Sequence, residues 1–123
     1  MKIAVASDDG KIISAHFGRT KGFLIFDIEN GEIKSREYIP NTFTGHARGL
    51  YEKGLHHQYD THAVIIENLK DCKAVISHGM GRRLYDDLTS AGIEVYVTDE
   101  TDVDKAIELY LKGELTNVSE LLD

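Results

Sequence analysis

The sequence predicts an α/β fold: five strands in one mixed sheet, with helices separating the later strands, in the order β-β-β-α-β-α-β-α. Three observations lead there. Lys73-Ala74-Val75-Ile76-Ser77 is an apolar run that ends in His78-Gly79-Met80-Gly81, continues at helical spacing and returns as Ile93-Glu94-Val95-Tyr96-Val97. That is the pattern of two parallel strands joined by a helix, and such a crossover puts the glycine turn at the carboxyl edge of the sheet, where α/β proteins bind ligands. Asn30-Gly31, between Phe23–Ile28 and Glu32–Ile39, suits the positive φ angles of a tight antiparallel hairpin. Val103, Ala106, Ile107, Tyr110 and Leu111 form an apolar stripe closed by Gly113, which gives a terminal helix.

Each element has its own signal. Ile3-Ala4-Val5-Ala6 is a short apolar run closed by Ser7-Asp8-Asp9-Gly10, so it reads as a buried first strand and a turn. A long connection over residues 8–21 follows. Phe23–Ile28 is apolar at nearly every position, as an interior strand is, whereas Glu32–Ile39 mixes charges with Ile33, Tyr38 and Ile39, which suits an edge. Pro40 ends that strand. Residues 41–60 show no period, and a connection of that length is functional or mobile. Thr61 suits an N-cap for a first helix with Ile65, Ile66 and Leu69 on one face, leading through Asp71-Cys72 into strand four. Leu84, Tyr85, Leu88 and Ala91 line one face of the second helix, which Gly92 closes. Thr101 with Asp104 resembles a capping box at the start of the third. The tail 114–123 has Val118, Leu121 and Leu122 at helix-like spacing and is expected to pack loosely.

Composition narrows the function. The 123 residues suit one domain, 1–123, large enough to bury roughly two-thirds of its unfolded surface. Lys and Arg number 14 against 21 Asp and Glu, a formal charge of -7, and no basic run tracks a phosphate backbone, so nucleic acid is not an expected partner. No apolar run nears the ~20 residues that cross a bilayer, and the chain opens directly on a strand pattern without a signal-peptide layout. A cytoplasmic protein with no membrane partner is expected.

If the first three strands form an antiparallel meander and the rest follow by crossovers, strand directions alternate predictably. The loop 8–21, the loop 41–60, the start of the first helix and the Gly-x-Gly turn then share one edge. All six histidines, His16, His46, His56, His57, His62 and His78, lie in those segments. The opposite edge receives Asn30-Gly31, Gly92 and Cys72. Cys72, the single cysteine, is therefore read as a small buried hydrophobe rather than a thiolate ligand.

The first strand, the segment His16-Phe17-Gly18-Arg19, the apolar second strand, the histidine-bearing loop, Gly79-Met80-Gly81-Arg82-Arg83 and the ending Tyr110-Leu111-Lys112-Gly113-Glu114-Leu115 follow one another in an order that resembles the dinitrogenase iron-molybdenum cofactor biosynthesis family. His-Phe-Gly-Arg is the most specific of these. The resemblance implies a ribonuclease-H-like three-layer fold and a nitrogenase accessory factor-like carrier or scaffold, not an enzyme, that holds an iron-sulfur or iron-molybdenum-type cluster. Its implied partners are the cluster or its precursor and the proteins that donate and accept it. The family's middle loop carries a His-Gly type segment, which Gly45-His46 and Asp60-Thr61-His62 match approximately.

His16 is the first candidate ligand, because imidazole suits iron or zinc and Gly18 lets backbone approach an anionic cluster. His46, His57, His62 and His78 are further candidates; His56 ranks below them, since neighbours in an extended segment point to opposite sides. Arg19 would complement cluster sulfides or an oxyanion. Gly79 and Gly81 free backbone N–H groups at a helix start, and Arg82 and Arg83, in a first turn where a cation opposes the helix dipole, hint at an anion nearby. Each of these also has an ordinary structural reading as a solvated loop side chain or a tight turn. The alternatives are a ligand-free protein-interaction module, a zinc or nickel sensor using three histidines, and a two-metal hydrolase using Asp8, Asp9 and Asp27. For the last, strand alternation sets Asp27 at the wrong edge.

Overall fold

The computed structural model describes residues 1–41 and 61–118, with residues 61–63 described by backbone alone. The most apolar strands take the centre of the sheet. β1 (Lys2–Ser7) is buried from Ile3 onward on both faces, so it needs a neighbour on each side. β2 (Gly22–Glu29) pairs with it antiparallel, and β4 (Cys72–Ser77) pairs with it parallel. β3 (Glu32–Pro40), exposed along nearly all its length, lies outside β2, and β5 (Glu94–Val97) runs parallel to β4. The strand order is β3-β2-β1-β4-β5. This is a mixed five-stranded α/β sheet with the strand directions read from the sequence.

Alternation along the central strands divides the core in two. Ala4, Ala6, Phe23, Val75, Val95 and Val97 face α1 (Thr61–Leu69) and α2 (Arg82–Ser90), meeting Ile65, Leu69, Leu84 and Leu88. Ile3, Val5, Leu24, Phe26, Ala74 and Ile76 face α3 (Val103–Leu111), meeting Val103, Ala106 and Ile107. Burying each Val, Leu, Ile or Phe among them contributes roughly 1.5–3 kcal/mol. Among the described residues, no helix is long and apolar enough to cross a membrane.

The turns follow their residues. Asn30 (φ 54°) and Gly31 (φ 77°) form the β2–β3 hairpin, and Gly92 (φ 85°) closes α2. One cap differs from expectation. Asp102, not Thr101, precedes α3 and accepts the Asp104 N–H at 3.3 Å; the Thr101 carbonyl already accepts the Ile13 N–H at 2.7 Å, so the helix begins one residue later than a capping box at Thr101 would have it. β3 also extends through Pro40, opposite Gly22, as an edge strand tolerates a missing donor. Residues 114–118 return along the free edge of β5, where the Asn117 side chain accepts the Val97 N–H (3.1 Å) and donates to the Val95 carbonyl (3.0 Å).

Candidate functional site

The edge at the carboxyl ends of β1 and β4 is built from two loops that lean on each other. The first, residues 8–21, is tied at its base: the Asp9 carboxylate accepts the Lys11 and Ile12 N–H groups at 2.8 and 2.9 Å, and Asp8 accepts the Lys21 N–H at 2.8 Å and the Thr20 hydroxyl at 3.2 Å. The Ile12 and Lys11 amides hold the Asp9 carboxyl below its ordinary value. Phe17 is the anchor. It is buried and tilts against Phe23 with ring centroids 5.1 Å apart, so the 3₁₀ turn Phe17–Arg19 leaves His16 and Arg19 exposed on either side of it.

The second loop joins β4 to α2. A Cβ on Gly79 would stand 2.4 Å from the Ala15 carbonyl oxygen, so this glycine is required by the close approach of the two loops. Gly81 is different: it is exposed, a Cβ there would meet nothing within 4 Å, and it stands at the N-cap of α2 with no side-chain cap. Between the loops lies a cleft of about 420 Å³, with Phe17, Gly18, Met80 and Leu84 as its apolar part and His16, Arg19, Gly81 and Arg83 as its polar part. Two guanidinium groups, one imidazole and the start of α2 line it, without a carboxylate or thiol among those residues. Such a lining favours an anion and disfavours a hydrated cation.

Of the residues singled out from the sequence, His16, Arg19, Gly81 and Arg83 come together here. Gly79 stands behind the wall, buried against Ala15. Arg82 is exposed and is not among the lining residues; Arg83 is. Helical spacing carried that distinction, since Arg82 precedes the buried Leu84 by two residues, about 200° around the axis, and Arg83 by only one. His78, half-buried on the same edge, stands outside the cleft lining, with Nδ1 2.9 Å from the Thr98 carbonyl oxygen. In the neutral ring that carbonyl selects the Nδ1–H tautomer and leaves the Nε2 lone pair free. His46 and His57 lie outside the described residues, as does the side chain of His62. Among the described residues no group of three or more His, Cys, Asp or Glu side chains converges as a metal site.

Among the described residues the other edge lacks this chemistry. Cys72 opens β4 there, buried, and burial pushes its thiol up to about 11. A second cleft of about 450 Å³ at that edge is lined by Ile28, Tyr96, Tyr110, Leu111 and Lys73 among others. Although slightly larger, it contains no histidine, and Lys73 is paired with Glu94 at 3.4 Å. Asp27 is also at this end, 3.5 Å from the terminal amine and in register with Lys2. Six further residues of extended chain, about 20 Å, separate that level from Asp8, so these carboxylates form no two-metal site.

The dinitrogenase iron-molybdenum cofactor family matches residues 1–113. Two uncharacterized proteins of Methanocaldococcus jannaschii are similar over nearly their full lengths. One is 40% identical over 115 residues, covering 94% of this chain and 89% of the relative; the other is 32% identical over 119 residues, covering 97% and 95%. A crystal structure from M. jannaschii, described as that of a candidate dinitrogenase, has a TM-score of 0.67 at 29% identity, covering 97% of this chain and 95% of that one. The apo form of the orange protein from Desulfovibrio gigas has a TM-score of 0.68 at 18% identity, covering 96% and 92%, a likeness of fold. The family match runs from β1 through α3 and takes in both walls of the cleft, and by it this chain belongs to the dinitrogenase iron-molybdenum cofactor family.

Proposed function

We propose that the chain is a carrier or scaffold, without catalytic activity of its own, that binds a preassembled iron-sulfur or molybdenum-containing cluster as cargo at the cleft between His16–Arg19 and the start of α2. The observation that carries this reading is the lining itself: one imidazole and two guanidinium groups around an apolar floor, with no thiolate or carboxylate among the described residues that line it. A cluster that brings its own sulfides needs few protein ligands, and its negative charge is met by Arg19, Arg83 and the N–H groups at the start of α2. His16 is the assigned metal ligand. His46, His57 and His62 are proposed as further donors from the intervening chain, and His78, with Nε2 free, as a donor toward the same edge. The family membership supports the cofactor theme, and the strand order is compatible with the ribonuclease-H-like three-layer arrangement that we assign to a single domain over residues 1–123. Cluster-donating and cluster-accepting proteins in the cytoplasm are the partners this role requires.

The test is the iron, molybdenum, zinc and sulfide content per chain after anaerobic reconstitution with iron and sulfide, with and without molybdate, in the parent chain and in His16→Ala. Stoichiometric iron or molybdenum with sulfide is expected, with affinity falling about tenfold in His16→Ala, equivalent to ~1.4 kcal/mol. A folded chain that takes up zinc or nickel but no sulfide would replace the carrier by a metal sensor. One that takes up nothing would leave a ligand-free protein-interaction module.

A further inference from the structure

The two walls of the cleft meet behind it at one buried hydroxyl. Ser77, the last residue of β4, has 0% of its surface exposed. Its Oγ lies 2.6 Å from the Gly79 carbonyl oxygen and 3.1 Å from the Ser14 carbonyl oxygen, and it accepts the Gly79 N–H at 3.3 Å. The single hydroxyl proton is shared between a carbonyl of each loop. From Ser14 the chain of bonds continues into the first wall: the His16 N–H donates to Ser14 Oγ at 3.1 Å, and the Arg19 N–H donates to the His16 carbonyl at 3.0 Å. From Gly79 it continues through Met80 to Gly81 and α2.

We infer that Ser77 is a positioning residue for the cleft, its hydroxyl setting the relative placement of His16 and Arg19 on one wall and Gly81 and Arg83 on the other. It touches no cargo and acts through Ser14 and Gly79. The inference builds on the carrier reading for its consequence in binding, but the placement of His16 is measurable without any cargo. The His78 N–H also donates to the Ser14 carbonyl, at 2.9 Å, so loss of the Ser77 hydroxyl leaves the loop attached but frees its angle against Gly79. Removing a group that orients a ligand from behind costs on the order of 10-fold or more in affinity.

Ser77→Ala and Ser77→Cys, the latter close in size to serine but a weak donor, are to be compared with the parent chain and with Ile107→Val, a loss of volume on the opposite face of the sheet. The readouts are the NMR resonances of the His16 ring, amide exchange at His16 and Arg19, and loading from the iron, sulfide and molybdate mixture. Both Ser77 variants should shift the His16 ring resonances, speed exchange at His16 and Arg19, and weaken loading about tenfold, whereas Ile107→Val leaves the resonances in place. Unchanged His16 resonances and exchange in folded Ser77→Ala or Ser77→Cys would overturn the assignment. If the parent chain loads nothing, the carrier reading fails, and the ring resonances and exchange rates still decide whether Ser77 places His16.

Discussion

Gly79 and Gly81 are two residues apart, and the fold asks different things of them. Gly79 has the Ala15 carbonyl oxygen 2.4 Å from where a Cβ would be, while Gly81 faces open space at a φ of -67° that any residue adopts. Gly79→Ala is therefore expected to lower stability by about 2 kcal/mol or more through overpacking, and Gly81→Ala to change it by no more than ~0.5 kcal/mol; thermal denaturation of the two variants separates these outcomes. Cys72 supplies a prediction in pH. Burial raises its thiol from the ordinary 9.0 to about 11, so the folded chain holds this proton more tightly than the unfolded one. The stability linked to it is complete below pH 9.0 and is lost as the pH rises through about 11. Denaturant titrations of Cys72→Ala should show a flatter alkaline decline than the parent chain. The sequence placed Cys72 away from the candidate site, because the alternation of strand directions puts the start of β4 at the opposite edge. The different duties of the two glycines were not legible there, since Gly79 is constrained by a residue 64 positions earlier in the chain.

At the scale of elements, β5 is a short strand whose outer edge is covered by residues 117 and 118. The Val118 N–H donates to the Val97 carbonyl at 2.6 Å, and the Asn117 side chain bonds the Val97 N–H and the Val95 carbonyl as a neighbouring strand's backbone would. Both side-chain bonds are partly shielded from water, so Asn117→Ala is expected to cost ~1–2 kcal/mol and to speed amide exchange at Val97 before any change at β1. The hairpin, the parallel crossover and α3 were all legible in sequence, since each is fixed by local periodicity and by residues that tolerate positive φ. The α3 cap was misread by one residue. Its register is set by Ile13 and Lys11, whose bonds to Thr101 and Val103 come from the far side of the chain.

At the scale of the whole molecule, a chain of net charge -7 gathers two arginines and a histidine in one cleft. An anionic cargo is then repelled at long range and attracted only close to Arg19 and Arg83. Arg19→Gln and Arg83→Gln are expected to weaken cluster loading by several-fold each and to reduce its sensitivity to salt, while leaving the denaturation midpoint within ~0.5 kcal/mol of the parent because both side chains are exposed. Equilibrium loading at low and at physiological ionic strength checks both parts.

What the sequence by itself determined was the set of elements, the direction of each strand and the edge on which His16, Arg19 and the Gly-x-Gly turn meet. Those follow from hydrophobic period, turn chemistry and crossover handedness, all of which act over short stretches of chain. Only the tertiary structure decided which of those residues share a cleft. His16, Arg19, Gly81 and Arg83 line it, Gly79 and Ser77 support it from behind, and His78 stands outside its lining; helical spacing alone separates Arg83 from Arg82. That selection depends on how loop 8–21 packs against the turn after β4, through contacts of Ser77 with Ser14 and Gly79 with Ala15. Contacts so distant in sequence leave no period and no local composition to read.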